Sequence, residues 1–251
     1  MVNKKAQVTI FIIVGIFIVI AAVLLYVFWP KISPAVSGKS SSPQTFVQEC
    51  IEEELNEKIN LISSQGGSFN PEFYFVYEGG KVEYLCYTSA YYFPCVMQQP
   101  MLKRHVETEI KEKTEQGINQ CLENMRKNFE DKGYSVSVNK KNYEIELLPK
   151  KIIGKIDVDV TLTKEKTESF DSMSIVLNNN LYELISIASS ILNSEARYGD
   201  SETTEYMSYY PWLKVEKKKQ TDGTTIYILT ERKNENKFQF ASRSVVVPGG
   251  Y

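Results

Sequence analysis

Residues 6–30 read AQVTIFIIVGIFIVIAAVLLYVFWP, an apolar run without a charged residue that follows the short basic head MVNKK. As an α-helix, about 22 of these residues would rise roughly 33 Å, enough to cross a hydrocarbon core of about 30 Å. Tyr26 and Trp29 stand near the end of the run, where aromatic side chains favour the membrane interface. The run therefore predicts a transmembrane helix, and the remainder of the chain becomes a module held at a lipid bilayer.

The positions of lysines and cysteines indicate on which side of the membrane that module lies. Lys4 and Lys5 precede the apolar run and Lys31 and Lys39 follow it, so the positive-inside bias toward a cytoplasmic N-terminus is slight. All four cysteines follow the run, and an even set in a modest domain is typical of disulfides in an oxidising compartment. The alternative is four reduced, buried thiols. We expect a single-pass protein of the cytoplasmic membrane whose C-terminal domain lies outside the cytoplasm.

The start of the apolar run also resembles a processing signal. KKAQ before an apolar helix is similar to the class III, prepilin-like signal of archaea, which implies cleavage next to Ala6 or Gln7 with the helix retained. Counted from Gln7, the fifth mature position is Phe11, where pilin-like helices usually carry Glu. Pro30 and Pro34 would also interrupt the continuous helix by which a pilin usually enters its globular head. The simpler alternative is an uncleaved anchor.

Overall composition limits the classes of partner. The 251 residues carry a formal net charge of −2, and 24% of them are charged. No strongly basic balance favours nucleic acid, and no large acidic excess favours disorder. The expected partners are therefore the lipid bilayer and an envelope or surface protein, or further copies of the chain, and not nucleic acid.

Changes of composition divide the chain into three segments. Residues 1–30 are the basic head and the transmembrane anchor. Residues 31–44 are rich in proline and serine, which predicts an extended linker. Residues 45–251 predict an extracytoplasmic α+β domain, and its length is compatible with a further boundary near 133–150.

Hydrophobic periodicity predicts the elements of residues 45–251. Helical spacing predicts three helices, at 45–64, 101–131 and 175–197. Apolar runs bounded by turn residues predict strands at 73–77, 81–87, 134–138, 143–148, 152–163, 212–218, 224–231 and 238–247. The order α, ββ, α, βββ, α, βββ predicts an α+β fold with a mainly antiparallel sheet and about three packed helices.

The four cysteines allow three pairings, of which one fits the predicted elements best. Cys50 and Cys121 lie on the apolar stripes of the first two predicted helices, so packing of those helices would bring them within bridging range. Cys86 and Cys95 flank a short tyrosine-rich loop. Pairing Cys50 with Cys121 and Cys86 with Cys95 nests the short loop inside the long one. A redox role is not favoured, because no CxxC spacing occurs.

The loop between Cys86 and Cys95 is the best candidate for a binding site. Tyr87, Tyr91, Tyr92 and Phe93 would stack on sugars or dock a protein partner if the disulfide made the loop rigid. The alternative is a loop that packs its own rings onto the sheet. A second aromatic cluster lies at residues 206–212, and the same two interpretations apply to it.

Few residues of the chain are typical of catalysis. His105 is the only histidine, and its position near a helix start favours a solvated surface residue. Asp157 and Asp159, together with Glu144 and Glu146, have the chemistry for a Ca²⁺ site or for glycoside hydrolysis. Alternating acidic residues on an exposed strand are more typical of solvation and edge protection. We therefore predict no catalytic residues, no metal and no cofactor.

Several blocks of the sequence together resemble an archaeal family of single-pass, membrane-anchored envelope proteins with a prepilin-like N-terminus. The blocks are AQVTIFIIVGI at 6–16, FVQECIEEELNEKINLISSQGG at 46–67, INQCLENM at 118–125 and TIYILTERKNENKFQFASRS at 225–244. The resemblance covers most of the chain. It implies an exported protein and supports the pairing of Cys50 with Cys121, but no block is a catalytic signature.

Three functions are compatible with these patterns. The favoured one is a non-enzymatic envelope protein that acts in adhesion, as a scaffold or in surface assembly. The first alternative is a type IV pilin-like filament subunit that a prepilin-type peptidase processes. The second alternative is an exported hydrolase that uses the carboxylates of residues 144–159.

Overall fold

Helices and strands alternate along residues 42–246, which are the residues that the computed structural model describes. The elements are α1 (Pro43–Ser64), β1 (Tyr74–Tyr77), β2 (Gly80–Tyr87), β3 (Val96–Met97), α2 (Leu102–Asp131), β4 (Ser135–Leu148), β5 (Lys151–Thr163), β6 (Thr167–Asn178), α3 (Leu181–Tyr198), α4 (Thr203–Tyr209), β7 (Leu213–Lys219), β8 (Thr224–Glu231) and β9 (Lys237–Arg243). The predicted α+β class is confirmed, with the strands divided between two sheets.

Helices α1 and α2 pack against each other through apolar stripes. Side chains that recur every three or four residues form each stripe, as expected for amphipathic helices. The buried members include Val47, Ile51, Leu55, Ile59 and Ile62 on α1, and Val106, Ile110, Ile118, Leu122, Met125 and Phe129 on α2. The helices run antiparallel, because Cys50 bonds to Cys121 while Gly67, just after α1, lies against Val106 near the start of α2.

Both predicted disulfides are present. Cys50 and Cys121 join α1 to α2 with their Cα atoms 5.8 Å apart, across a sequence separation of 71 residues. Cys86 and Cys95 join β2 to the residue before β3 with a Cα separation of 5.3 Å, across 9 residues. The helix pair and the tyrosine-rich loop each carry one covalent restraint, in the nested arrangement that the sequence predicts.

The larger sheet has the strand order β1-β2-β9-β8-β7, with β3 paired to β2. Neighbouring strands are antiparallel except β2 and β9, which are parallel. The β1–β2 hairpin turns at Glu78 and Gly79, which have φ values of 49° and 83°. Positive φ at both central residues is the geometry of a type I′ turn, so the predicted Glu-Gly-Gly turn forms where expected.

The smaller sheet, β4-β5-β6, is antiparallel throughout. Strand β5 alternates as its sequence predicts, with Ile156, Val158, Val160 and Leu162 buried. These side chains belong to one hydrophobic core that also includes residues of α1, α2, α3 and the inner face of the larger sheet. Because apolar and polar residues alternate along β5, one face of this sheet is apolar and packs against the helices.

The outer edge of β6 is covered by glutamine side chains of α1. Gln48 donates from Nε2 to the Val176 carbonyl at 3.2 Å, and its Oε1 accepts from the Val176 N–H at 2.9 Å. Gln44 binds the backbone of Ser174 in the same way, with its Oε1 accepting from the N–H at 3.2 Å. The two amides take the place of a neighbouring strand and satisfy backbone groups that would otherwise be open to pairing.

The third helix begins later than the sequence pattern predicts. Residues 175–178 belong to β6, in which Met173, Ile175 and Leu177 are buried and the residues between them are exposed. Helix α3 starts at Leu181, whose N–H donates to Asn179 Oδ1 at 2.9 Å. The prediction is wrong here because the apolar residues at the end of β6 also fit the helical period of α3.

Three other elements differ from the sequence prediction. The segments 134–138 and 143–148 are one continuous strand, β4, with an irregularity between Lys140 and Asn142. Strand β3 and helix α4 are not predicted, since two and seven residues are too few to establish a period. No helix within residues 42–246 is long and apolar enough to cross a membrane. The predicted span at 6–30, including Ala6 and Gln7, lies outside the described residues.

Loss of the Cys50–Cys121 disulfide should destabilise the domain strongly. Chain entropy assigns about 4 kcal/mol of unfolding free energy to a closed loop of this length, against about 3 kcal/mol for the Cys86–Cys95 loop. Denaturant titration should give a similar decrease in the free energy of unfolding for Cys50→Ser, Cys121→Ser and the double variant, because each lacks the same bond. Non-reducing peptide mapping of membrane-extracted protein provides the check, and free thiols at all four cysteines would contradict the pairing.

Candidate binding site

The predicted binding loop, which runs from Tyr87 to Phe93, is closed covalently at its base. The disulfide between Cys86 and Cys95 holds the two ends of the loop together beside the larger sheet. The Cys95 N–H also donates to Ser244 Oγ at 3.0 Å. Both restraints act on the base of the loop, which is therefore fixed to β2 and to the segment that follows β9.

The loop backbone also binds the segment that follows β9. The Thr88 N–H donates to the Arg243 carbonyl at 3.0 Å, and the Tyr92 N–H donates to the Val245 carbonyl at 2.5 Å. The Val245 N–H in turn donates to the Phe93 carbonyl at 3.4 Å, which forms a short antiparallel bridge. A loop that is ordered before it meets a partner loses less conformational entropy on binding.

Three aromatic side chains of this loop are exposed. The exposed fractions are 65% for Tyr91, 64% for Tyr92 and 62% for Phe93. Tyr92 has a φ of 68°, in the left-handed region that residues other than glycine seldom adopt. Such conformations persist where the surrounding structure enforces them, and they are concentrated at functional sites. The loop thus combines three adjacent exposed rings with a restrained backbone.

Tyr87, the fourth predicted residue, belongs to a different surface. It is half-buried on β2, and its ring lies 4.5 Å from that of Phe73 and 5.1 Å from that of Tyr84, measured between centroids. The Arg243 guanidinium lies 5.8 Å from the centroid of the Tyr87 ring. The structure therefore brings together three of the four predicted residues, 91–93, and assigns Tyr87 to the sheet.

Tyr87 forms part of an aromatic cluster on the outer face of the larger sheet. All its members come from strands of that sheet: Phe75, Tyr77, Val82, Tyr84, Tyr87, Ile226, Ile228 and Ala241. Tyr84 is buried, and its hydroxyl bonds to Thr224 Oγ1 at 2.8 Å. The rings pack over the aliphatic residues between them. For Tyr87 the structure therefore agrees with the alternative in which the aromatic rings pack onto the sheet instead of binding a partner.

The second predicted aromatic cluster divides in a similar way. The Tyr206 hydroxyl bonds to Ser190 Oγ on α3 at 2.9 Å, and the rings of Tyr210 and Trp212 lie 5.7 Å apart. Tyr209 is 81% exposed at the end of α4. Tyr210 is also exposed, at 42%, but its ring packs against Trp212, so the cluster presents no patch comparable to residues 91–93.

Two of the four carboxylates considered for hydrolysis, Asp159 and Glu146, form ion pairs with lysines. Lys141 Nζ lies 2.7 Å from Asp159 Oδ1, and Lys155 Nζ lies 2.5 Å from Glu146 Oε2. The Lys155 ammonium lowers the pKa of Glu146. These pairs favour the structural interpretation of the acidic residues on β4 and β5. Within residues 42–246, no group of three or more His, Cys, Asp or Glu side chains is arranged to hold a metal ion.

A polar cleft that the sequence analysis did not identify contains His105. The cleft has a volume of about 410 Å³ and lies between α2, β2 and the segment that joins α1 to β1. His105 Nε2 lies 2.8 Å from Ser68 Oγ, and Glu109 Oε2 accepts from the Phe69 N–H at 2.9 Å. His105 is partly exposed at the surface of the cleft and is held there by its hydrogen bond to Ser68.

Glu83 is the most buried carboxylate of this cleft, and we call the cleft the Glu83 cleft. Glu83 is 9% exposed, and its Oε2 has no hydrogen-bond partner within the described residues. Burial raises the pKa of Glu83, hydrogen bonds from Ser68 and Gln99 offset part of that rise, and the nearby Glu109 carboxylate adds to it. A charged residue inside the apolar run VEYLCY is the sequence signal that would have identified this position.

The turn after α1 positions Glu83 in the cleft. Gly66 has a φ of 90°, and a Cβ there would lie 2.8 Å from Glu83 Cβ. The Glu83 N–H donates to the Gln65 carbonyl at 3.0 Å. Glycine is required at position 66 by both the backbone conformation and the close approach. The Gly-Gly pair that ends the first predicted helix therefore also brings β2 against the end of α1.

A second buried carboxylate, Glu195 on α3, is fully hydrogen-bonded. It is 2% exposed; its Oε1 accepts from the Tyr227 hydroxyl, and its Oε2 accepts from Ser242 Oγ at 3.2 Å. Burial raises the pKa of Glu195, and burial together with the Glu195 charge raises the pKa of Tyr227. This network ties α3 to β8 and β9 and has a structural role.

Glu195→Gln should change how stability depends on pH. Folding raises the pKa of Glu195 above its ordinary 4.5. The stability that the protonated carboxyl contributes is therefore fully present below pH 4.5 and is lost as the pH rises through the pKa of the folded state. Glutamine keeps an acceptor for Tyr227 and does not ionise. We expect the Tm of Glu195→Gln to rise relative to wild type from about pH 4.5 to neutral pH. Melting curves that shift in parallel, as expected for the exposed control Glu53→Gln, would contradict this role.

Comparison of the chain with protein-family models, with curated proteins and with solved structures gives no match. The described residues define the class as a disulfide-linked α+β domain. Its two candidate sites are the exposed aromatic loop at residues 88–94 and the Glu83 cleft.

Proposed function

We propose that the chain is a non-enzymatic, membrane-anchored envelope protein whose extracytoplasmic domain takes part in adhesion or surface assembly. In this proposal the aromatic loop is the contact surface. The observation that carries it is the exposure of Tyr91, Tyr92 and Phe93 on a backbone closed by the Cys86–Cys95 disulfide. The partner is an envelope or surface protein or a second copy of the chain.

Aromatic side chains are effective anchors for such a contact. A tyrosine or phenylalanine buries a large apolar area while losing only two side-chain torsions, and tyrosine keeps a hydroxyl for hydrogen bonding. Residues of this kind that become fully buried at an interface often contribute about 2 kcal/mol or more each. Three adjacent rings on an ordered loop supply a compact patch of this type.

Two features support an extracytoplasmic location. Disulfides persist in oxidising compartments, and all four cysteines of the chain are paired. The apolar run at 6–30 predicts a membrane anchor that precedes the domain, joined to it by the predicted proline- and serine-rich linker at 31–44, whose last two residues begin α1. The resemblance to archaeal anchored envelope proteins agrees with the same location.

The proposed location predicts that the domain is accessible from outside the cell. A membrane-impermeant amine-reactive reagent applied to intact cells should modify exposed lysines such as Lys113 and Lys233. A cytosolic protein followed in the same sample serves as the control and should remain unmodified. Modification of Lys113 and Lys233 only after permeabilisation would place the domain inside and contradict the proposal.

The proposed contact predicts site-specific cross-linking from the loop. A photo-reactive phenylalanine analogue at position 92 of the full-length chain should form adducts in intact membranes, and mass spectrometry of the adduct should identify a surface protein or a second copy. Position 209 carries a tyrosine that is more exposed and outside the loop, so it is the matched control. Equal adduct formation at both positions would contradict a specific contact.

The same contact predicts the effect of removing the rings. We expect the combined change of Tyr91, Tyr92 and Phe93 to serine to abolish adducts formed from a photo-reactive residue at position 90, which is exposed in the same loop. Tm should stay within about 1 °C of wild type, because exposed side chains contribute little to folding. A large loss of Tm would mean that the rings stabilise the domain instead of binding a partner.

A further inference from the structure

A further cleft of the domain lies beside the aromatic loop, and we call it the Tyr91 cleft. It lies between the turn that joins β7 to β8, the C-terminal end of α3 and the segment that follows β9. Its volume of about 380 Å³ is within the range of small-ligand sites. The lining residues are Tyr91, Glu195, 198–200, 219–225 and 243–246.

Hydrogen bonds hold the walls of the Tyr91 cleft to one another. Arg243 Nε donates to the Asp222 carbonyl at 2.9 Å, which joins the segment after β9 to the β7–β8 turn. Ser244 Oγ donates to the Glu195 carbonyl at 3.3 Å, which joins the same segment to α3. The cleft is therefore formed before a ligand enters it, and this lowers the conformational entropy lost on binding.

The carboxylates that line the cleft are engaged within the protein. Asp222 Oδ1 accepts from the Thr224 N–H at 2.9 Å, and Asp222 Oδ2 accepts from Thr224 Oγ1 at 2.9 Å. Asp200 Oδ1 accepts from Lys217 Nζ. Glu195 accepts hydrogen bonds on both oxygens. A cationic ligand would therefore have to displace bonds that already exist.

The cationic side chains that line the cleft are engaged as well. Arg243 donates to the carbonyls of Asp222 and Thr88, and Lys219 Nζ lies 3.9 Å from Asp200 Oδ2. Among the described residues, an anionic ligand would meet three carboxylates on the walls against these two cations. The charges of the cleft thus favour an uncharged ligand.

The groups of the cleft that remain free are aromatic rings and hydroxyls. Tyr91 and Tyr198 have exposed fractions of 65% and 64%, and Thr221 is also exposed. These three hydroxyls make no hydrogen bond within residues 42–246. The Arg197 guanidinium lies over the Tyr198 ring, 5.2 Å from its centroid, so the opposite face of that ring is the one open to a ligand.

A sugar ring matches this set of groups. One face of a pyranose consists of C–H groups, which pack against an aromatic ring, and its rim consists of hydroxyls. The hydroxyls of a ligand in such a site are oriented by a small number of polar groups on the walls. An uncharged sugar needs no charged partner, and the charged side chains of this cleft are already paired.

We propose that the Tyr91 cleft binds the terminal sugar ring of an uncharged surface glycan. The C–H face of the sugar packs against the rings of Tyr91 and Tyr198, and the Thr221 hydroxyl bonds to the sugar hydroxyls. This inference rests on the proposed function only through Tyr91, which belongs to the contact loop.

Saturation-transfer NMR tests the inference on the full-length chain, in a phosphocholine detergent so that no detergent sugar competes. The probes are the methyl glycosides of glucose, galactose and mannose, and the acyclic polyol sorbitol is the control. We expect transfer to at least one glycoside, through its ring C–H protons, and none to sorbitol. Equal transfer to sorbitol, or none to all three glycosides, would overturn the inference.

Substitutions in the cleft assign the signal to its residues. Tyr91→Leu and Tyr198→Leu should each weaken glycoside binding about fivefold through loss of the aromatic face. Thr221→Val should weaken it about threefold through loss of one hydrogen bond. Tyr209→Leu, which changes an 81% exposed tyrosine outside the cleft, is the matched control and should bind as wild type does. Wild-type binding in Tyr198→Leu would contradict the assignment.

Two further comparisons test the class of ligand. Glucosamine and glucuronate should bind no more tightly than methyl glucoside, and tighter binding of either would contradict an uncharged ligand. A methyl glycoside resembles a sugar at the end of a chain. Tenfold tighter binding of the free reducing sugar would therefore assign the cleft to a free monosaccharide and overturn the glycan.

Photo-cross-linking from position 92 separates this inference from the proposed function. Adducts from position 92 without transfer to any glycoside would overturn the glycan inference alone. Transfer to a glycoside that depends on Tyr198, without adducts from position 92, would support the glycan inference and contradict only the proposed protein contact.

Discussion

The packing of α1 against α2 is the contact on which the rest of the domain depends. Each sheet is positioned by a polar contact to this helix pair. Tyr143 of β4 bonds through its hydroxyl to Thr114 of α2 at 3.0 Å, and the Gln48 amide binds the edge of β6. At the other end of α1, the Gln65 carbonyl accepts from the Glu83 N–H of β2. The Cys50–Cys121 disulfide therefore restrains the element that orients both sheets.

Two buried carboxylates of the domain, Glu83 and Glu195, differ in how completely they are hydrogen-bonded. Glu195 accepts from Tyr227 and Ser242, so the free energy needed to bury it is offset locally. Glu83 leaves one oxygen without a partner, which costs about 1–3 kcal/mol for a buried polar group. Both carboxylates line a cleft: Glu195 lines the one beside Tyr91 and Arg243, and Glu83 lines the one beside His105.

The aromatic residues of the chain have two distinct uses. Those on the outer face of the larger sheet, such as Tyr84 and Tyr87, contact one another and cover aliphatic residues of the strands. Those at residues 91–93 have no comparable cover, because the disulfide and the bridge to Val245 turn the loop away from the sheet's own cluster. The same residue types, tyrosine and phenylalanine, are therefore packed together on the sheet but exposed on the loop, depending on where the backbone places them.

The sequence by itself determined the elements whose signals are local. The apolar periods of α1 and α2, the Glu-Gly-Gly turn, the alternation of β5 and the nested cysteine pairs are each contained in a short stretch or in one helix pair. Local periodicity was insufficient at the β6–α3 junction, where the same apolar residues satisfy a period of two and a period near four.

Only the tertiary structure decided the parallel pairing of β2 with β9 and the composition of the Glu83 cleft. Ser68 and His105 are 37 residues apart, and Glu83 lies on a strand between them. These residues come together because of the turn at Gly66 and the antiparallel packing of α1 with α2. Neither feature produces a periodic pattern in the sequence. Sequence periodicity records which face of an element is buried, whereas a site depends on which elements meet.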